Sequence, residues 1–448
     1  MRSSLTYTAR FCRLFFALLM WTGCGGSADE DAGAGPRDGS IGLDGGPGDS
    51  GSALDAAARD SGIRDSGTRD SGIRDSGLVD VPAALAELPL NEWRAVSTNT
   101  IRDLDPCPVS RCAWSSVEGL SGVTSDWTGG VYASEQGAFG SLIYWGGGHN
   151  GYYGNEVYSF DIATLTWERL SDPTDGMTPG DATTFGFNEE TCRWWDGRPV
   201  SMHTYDSVFY EPGRNRFWLS SVKDFGGSFG VDGLRATIAA CGSRLAANFD
   251  LTNGVWEDSA TEGAVGIFGA GAWDSSRGLL WYAFRQEIHS FDPVADVWVN
   301  HGRRTNAPGL DTAGAIDPGR DLFVVTDFRG DRDAVYAISL ADADVPGAVV
   351  TTVGETEIQA SGGNGFEWAE ELGGFVAYKS GRDVFLLTPP DGDYATAPWV
   401  WSRIVATGVE PDMPENGPYS KFQYVPGLGI AFVASRVNGA VFAIRLAP

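Results

Sequence analysis

Residues 142–170 read LIYWGGGHNGYYGNEVYSFDIATLTWERL, and this stretch decides the fold. It divides into three strands and two turns. Residues 142–145 are a short, almost wholly apolar run, the pattern of a strand covered on both faces. Gly146, Gly147 and Gly148 end it, and glycine supplies backbone angles closed to other residues. Residues 156–161 form the second strand, 162–165 a turn, and 166–170 the third.

The pattern recurs downstream. Phe160-Asp161 is followed by Trp167, Phe249-Asp250 by Trp256 and Phe291-Asp292 by Trp298, each Trp seven residues after its Phe. A second rhythm, a turn leading into an apolar strand, appears at residues 211–218 (EPGRNRFW), 274–281 (DSSRGLLW), 317–324 (DPGRDLFV), 370–376 (EELGGFV) and 425–431 (VPGLGIA), with a looser version at 132–145. Together these mark six units, at about 126–171, 201–259, 266–302, 309–353, 362–406 and 417–446. Each has room for four short strands, and internal repetition of this period dictates the architecture.

Glycines after an apolar strand, then Val-Tyr-x-Phe-Asp, then Trp-x-x-Leu, resemble the kelch repeat. The resemblance runs from about Asn91 to the C-terminus and is carried most fully by the first unit. It implies an all-β, six-bladed β-propeller with one four-stranded sheet per blade; it implies a fold and not a function. The ends predict how the ring closes. Residues 440–446 (AVFAIRL) match a third strand, after which the chain stops. Trp93-Arg-Ala-Val96 matches the fourth strands at 167–170 and 401–404. The N-terminal strand is therefore expected to complete the last blade, so the propeller domain spans 81–448 and no sheet edge is left open there.

The first 80 residues have another character. Arg2, Arg10 and Arg13 precede a short apolar core at 14–21, the form of a signal peptide over residues 1–23. Thr22-Gly23-Cys24 resembles a bacterial lipobox, although Trp21 stands where Leu is usual. The resemblance implies lipidation at Cys24 and, with Gly25 following, the outer membrane; a plain secreted protein is the alternative. Residues 24–80 are a low-complexity tract of Gly, Asp, Ala and Ser with four tandem Arg-Asp-Ser-Gly pentads. So little apolar surface predicts a disordered tether, spanning on the order of 40 Å as a flexible coil.

The formal net charge is −27, which argues against nucleic acid or an anionic membrane surface as a charge-driven partner. Contact with a membrane is expected through the lipid anchor alone, and a monomer is expected. Four cysteines remain in the mature chain, and an even number in an exported protein reads as disulfides. Cys107–Cys112 and Cys192–Cys241 are preferred among the three pairings. Zinc is the alternative, without the spacing a zinc site favours.

In a propeller the connections alternate between two faces. The turns from first to second strand, such as those at 211–215 and 274–278, are tight. The long segments 99–122, 146–155, 171–200, 221–243 and 407–418 belong mainly to the other face, and elaborated loops on a rigid scaffold are where binding usually resides. That face offers His149, Asn150, Tyr152 and Tyr153, then Trp194, Trp195 and Arg198. His203, Tyr205 and Asp206 open an inner strand, and Asp311, Asn364, Tyr419 and Lys421 align near the same rim. Such a ring of His, Asp, Lys and aromatic groups suits a small polar ligand or glycan. The plainer reading is that the histidine bonds structurally and the Trp pair packs its loop down.

Galactose oxidase-like propellers hold a mononuclear copper with Tyr and His ligands. The histidines here are His149, His203, His289 and His301, with His289 expected on a blade surface, and no His pair matches that site. No metal or cofactor is expected. N-acetylneuraminate epimerase-like propellers have a similar size, but no catalytic motif carries over, and Gly-x-Ser-x-Gly is absent. The leading expectation is a surface-tethered binding module for a small polar ligand, glycan or protein, with no catalytic residue assigned. A sugar-modifying enzyme and a structural envelope protein are the alternatives.

Overall fold

The computed structural model describes residues 80–448 except 107–118, 148–151, 175–185, 220–237, 239, 260–268, 285, 304–311, 329–332, 361 and 415. The leader, the tether, Cys24, Cys107 and Cys112 lie outside the described residues, as do His149, Asn150 and Asp311. Among the described residues no helix is long and apolar enough to cross a membrane.

The described chain forms six antiparallel meanders, each a blade of four or five strands. Their inner strands are Gly130–Ala133, Val208–Glu211, Ala270–Asp274, Ala313–Asp317, Gly365–Ala369 and Gln423–Val425. Each touches the inner strand of the blade before and after it, and the sixth returns to the first. The molecule is a closed six-bladed β-propeller around a single axis.

Residues 142–147 and 152–170 carry the three strands the sequence predicts, Ser141–Tyr144, Tyr158–Asp161 and Thr166–Arg169, the second starting two residues later than expected. Gly146 and Gly147 have φ of 106° and 121°, a region that a side chain makes costly.

The Phe-Asp…Trp spacing has a simple physical cause. Phe160 lies directly opposite Trp167, Phe249 opposite Trp256 and Phe291 opposite Trp298. The ring centroids are 5.3, 5.1 and 4.8 Å apart, the contact range of aromatic cross-strand pairs. The Asp between them closes the turn. Asp161 Oδ1 accepts the amide of Ala163, Asp250 Oδ1 that of Thr252 and Asp292 Oδ1 that of Val294. One residue sets the turn and its neighbour locks the register.

The N-terminal strand completes the ring. Glu92–Ala95 pairs antiparallel with Val441–Arg445, in the register Trp93↔Ile444, Arg94↔Ala443, Ala95↔Phe442. Trp93 is fully buried, donates its indole N–H to Arg382 O of blade five at 2.7 Å and packs on Tyr378. The chain then crosses to blade one. There the Asn99 amide bonds both backbone groups of Trp167, accepting from its N–H at 2.7 Å and donating to its carbonyl at 2.9 Å. A side chain thus takes the place of a fifth strand at that edge.

Two further edges are covered in a way the repeat did not foretell. Thr352–Gly354 lies parallel to Trp399–Ile404, and Thr407–Gly408 lies parallel to Glu92–Ala95. Blades five and six therefore have five strands each. His289, expected on a blade surface, is instead buried. Its strand is paired on both sides, and its ring lies 6.4 Å from that of Trp298.

Cys192 and Cys241 form a disulfide, the pairing preferred from the sequence. Beside it Arg193 is buried. Its guanidinium donates to the carbonyls of Arg244 and Ala246 and pairs with Asp258 on the outer strand of blade two. Bridge and arginine together hold the loop carrying Trp194 against blade two.

Candidate ligand-binding channel

Six inner strands converging on one axis leave a gap wherever their facing side chains are small. Gly271, Ala272, Gly314 and Ala315 line such a gap on blades three and four. The resulting cavity has a volume of about 410 Å³ and is lined from every blade. It reaches the exposed turn residues Ser134, Ser275, Pro318 and Pro426 and the half-buried Pro212, so it opens on the tight-turn face.

The walls are aromatic: Tyr132, Tyr210, Trp273, Trp368 and Tyr424. The tyrosine hydroxyls are anchored at the turn end. Tyr132 donates to Phe139 O, Tyr210 to Asn215 Oδ1 and Tyr424 to Glu371 Oε2, at 3.1, 2.9 and 2.7 Å. The indole N–H groups of Trp273 and Trp368 are shielded from water and meet no acceptor among the described residues.

The floor is polar and draws on all six blades. Asp206 Oδ2 accepts the amides of Gly314 at 3.0 Å and Gly271 at 3.3 Å, with the Ser420 hydroxyl beside the same carboxyl. Ser420 Oγ accepts the amide of Gly130. Glu367 Oε1 accepts from Gln423 Nε2 at 2.7 Å, and Gln423 Oε1 accepts the amide of Tyr132 at 2.9 Å. Burial pushes the Asp206 carboxyl well above the usual carboxylate range, against the pull of those donors. Burial does the same to Glu367, and the nearby Asp206 charge adds to it. Glu367 nonetheless keeps surface toward the channel. Two acidic groups in a desolvated floor favour retaining protons until something cationic arrives.

The residues singled out from the sequence gather in part, at the other end of the axis. His203, Tyr205 and Lys421 are all buried. The His203 ring lies 4.9 Å from Trp127 and 5.9 Å from Tyr205, and Tyr205 meets Tyr419 edge-on at 5.4 Å. Lys421 Nζ sits 5.9 Å from the Tyr419 ring centre and donates to the carbonyl and hydroxyl oxygens of Thr128. Burial lowers its pKa to about 7, with Asp126 opposing that and Lys379 reinforcing it. Tyr153 is buried in the main core. Trp194 packs against Phe187 in the stapled loop, away from the axis, while its neighbour Trp195 is 61% exposed.

Sequence reasoning placed Asp206 near the rim but passed over Glu367, Gln423 and the aromatic walls. Glu367 carried a usable signal, being a carboxylate inside an inner strand otherwise made of Gly, Phe, Trp and Ala. Among the described residues no cluster of His, Cys, Asp and Glu is arranged to hold a metal ion. No protein-family model matches the chain, and no curated protein matches it.

Proposed function

We propose that this protein is a binding module of kelch type that takes a small polar ligand in its axial channel, tethered to the outer membrane of a bacterial cell through a lipidated Cys24. The observation that carries the binding reading is the cavity itself. A closed ring leaves a 410 Å³ space with aromatic walls and a hydrogen-bonding floor, within the size range and chemistry of small-molecule sites. A scaffold closed for stability alone has no need of two desolvated carboxyl groups in its centre, since burying them is costly and the donors bonded to them offset that only in part. The tether reading rests on the basic, apolar and Thr-Gly-Cys order of the first 24 residues.

Filling the channel tests the binding reading. Ala272→Trp replaces a small lining residue with a large one. In a calorimetric screen of glycans and polar metabolites on the full chain, it should abolish the binding of any hit while leaving the circular dichroism spectrum unchanged. A hit that binds equally well to this variant places the site elsewhere. Cys24→Ala should move the protein from the membrane fraction to the soluble one, and unchanged fractionation overturns the anchor.

A further inference from the structure

The charge of the channel lining is one-sided. Among the described residues it contains Asp206, Asp274 and Glu367 and no Lys, Arg or His. Asp274 is already neutralised and held. Its Oδ2 accepts from Arg277 Nη1 at 2.7 Å, and its Oδ1 bonds the amide and hydroxyl of Ser276. Asp206 and Glu367 have no such cation among the described residues; their partners are amides and a hydroxyl. The walls around them are π-faces, which attract a cation and offer a neutral ligand only contact area. The Ser420 and Gln423 side chains, which also line the floor, can bond an oxygen on the same ligand.

Resting on the channel reading above, we infer that the ligand is a small organic ammonium ion that also carries hydroxyl or carbonyl oxygens, of the amino-alcohol or amino-sugar class. It enters from the tight-turn face, sets its ammonium group between Asp206 and Glu367, and lays its body against the aromatic walls. The remaining titratable groups facing the channel are Asp274, Tyr132, Tyr210 and Tyr424. Burial pushes these three tyrosines above their ordinary value, so they stay neutral through the pH range of the test. Binding then converts the floor from protonated to ionised and releases protons.

The test is calorimetric titration of the full chain with glucosamine and ethanolamine, against glucose and ethylene glycol as their uncharged counterparts. The ammonium probes should bind with a heat that depends on the buffer's ionisation enthalpy, and more tightly as the pH rises above the usual carboxylate range, because burial shifts both floor groups upward. Asp206→Asn and Glu367→Gln keep an oxygen for the same donors and so keep the fold. Each should weaken binding at least about tenfold, as expected for removing one partner of a buried charged contact. The inference is overturned if glucose binds as tightly as glucosamine, if both variants keep wild-type affinity, or if no ammonium probe saturates. Glucose binding that is abolished by Ala272→Trp and untouched by Glu367→Gln would sink the ammonium class and leave the channel reading standing. Glucosamine binding indifferent to Ala272→Trp would sink the channel reading itself.

Discussion

The two ends of the propeller axis are built from the same six strands and differ in almost every other respect. At the loop-bearing end the described residues bring a lysine and a group of rings together. Lys421, His203, Tyr205 and Tyr419 are all buried, and the lysine is satisfied by Thr128. At the turn-bearing end the space is left open, and its floor carries two acidic groups without a cation among the described residues. Long loops point to one end of the axis; the cavity lined by described residues opens at the other. Loop length is a property of the chain's connections, whereas a cavity is a property of what six strands fail to fill between them.

Ring closure is what both ends depend on, and breaking it should have the largest effect. Trp93→Ala removes a fully buried ring together with its bond to Arg382. A loss of about 3–5 kcal/mol is expected, the range for truncating a core tryptophan. Denaturant unfolding measures it. A loss within experimental error would mean that blade six is held without its N-terminal strand.

The two ends should also carry opposite pH signatures. Asp206 and Glu367 are raised in the folded state, so from the ordinary carboxylate range upward the folded chain binds more protons than the unfolded one. Their contribution to stability therefore falls as pH rises through that window. Lys421 is lowered to about 7 from 10.5, so between those values the unfolded chain binds more protons and stability rises with pH. Melting temperature against pH should show the fall diminished in Asp206→Asn and Glu367→Gln, and the rise above neutrality lost in Lys421→Met. Identical profiles in all four proteins would erase the distinction between the ends.

Lys421→Ala sharpens the same contrast. It leaves the Thr128 acceptors without their buried partner, at a cost of about 1–3 kcal/mol, yet it should not alter the affinity of a ligand held at the turn end. A selective loss of affinity with stability unchanged would return the site to the loop-bearing end, where the sequence reading first put it.

The smallest effect on binding is expected at the turns. Arg214 pairs with Glu211 and donates to Pro293 O of the next blade at 2.6 Å, but its side chain is 37% exposed. Arg214→Ala takes the cation from the buried Glu211 carboxylate, which keeps the Trp218 indole N–H as a donor, so it should cost about 1–3 kcal/mol and leave channel binding intact. A larger loss would show that the arginine links between turns, including Arg277 to Asp321, are what hold the mouth of the channel in shape.

Much of the fold was legible because its signals are local or repeated. Phe160 and Trp167 face each other across a single turn, and the same arrangement recurs at Phe249 and Phe291. Any reader of the spacing meets the hairpin before the ring. The closing strand was legible as a missing fourth strand at one end and a spare one at the other. Cys192 with Cys241 followed from their place in neighbouring loops of one blade. The fifth strands at Thr352–Gly354 and Thr407–Gly408 were not legible. Each is a short exposed segment whose pairing depends on a strand edge brought beside it in space.

The sequence by itself determined six repeated hairpin units, the order in which they follow one another and the residue that completes each turn. These follow from hydrophobic periodicity and turn chemistry within a few dozen residues. Only the tertiary structure brought the channel lining together. Asp206, Gly271, Gly314, Glu367, Gln423 and Tyr132 come from six different blades and share no motif. They meet because closing the ring carries one position of each inner strand to a common axis. Whether a given carboxyl there finds an arginine, an amide or an empty channel is set by packing between blades, which no spacing along the chain encodes.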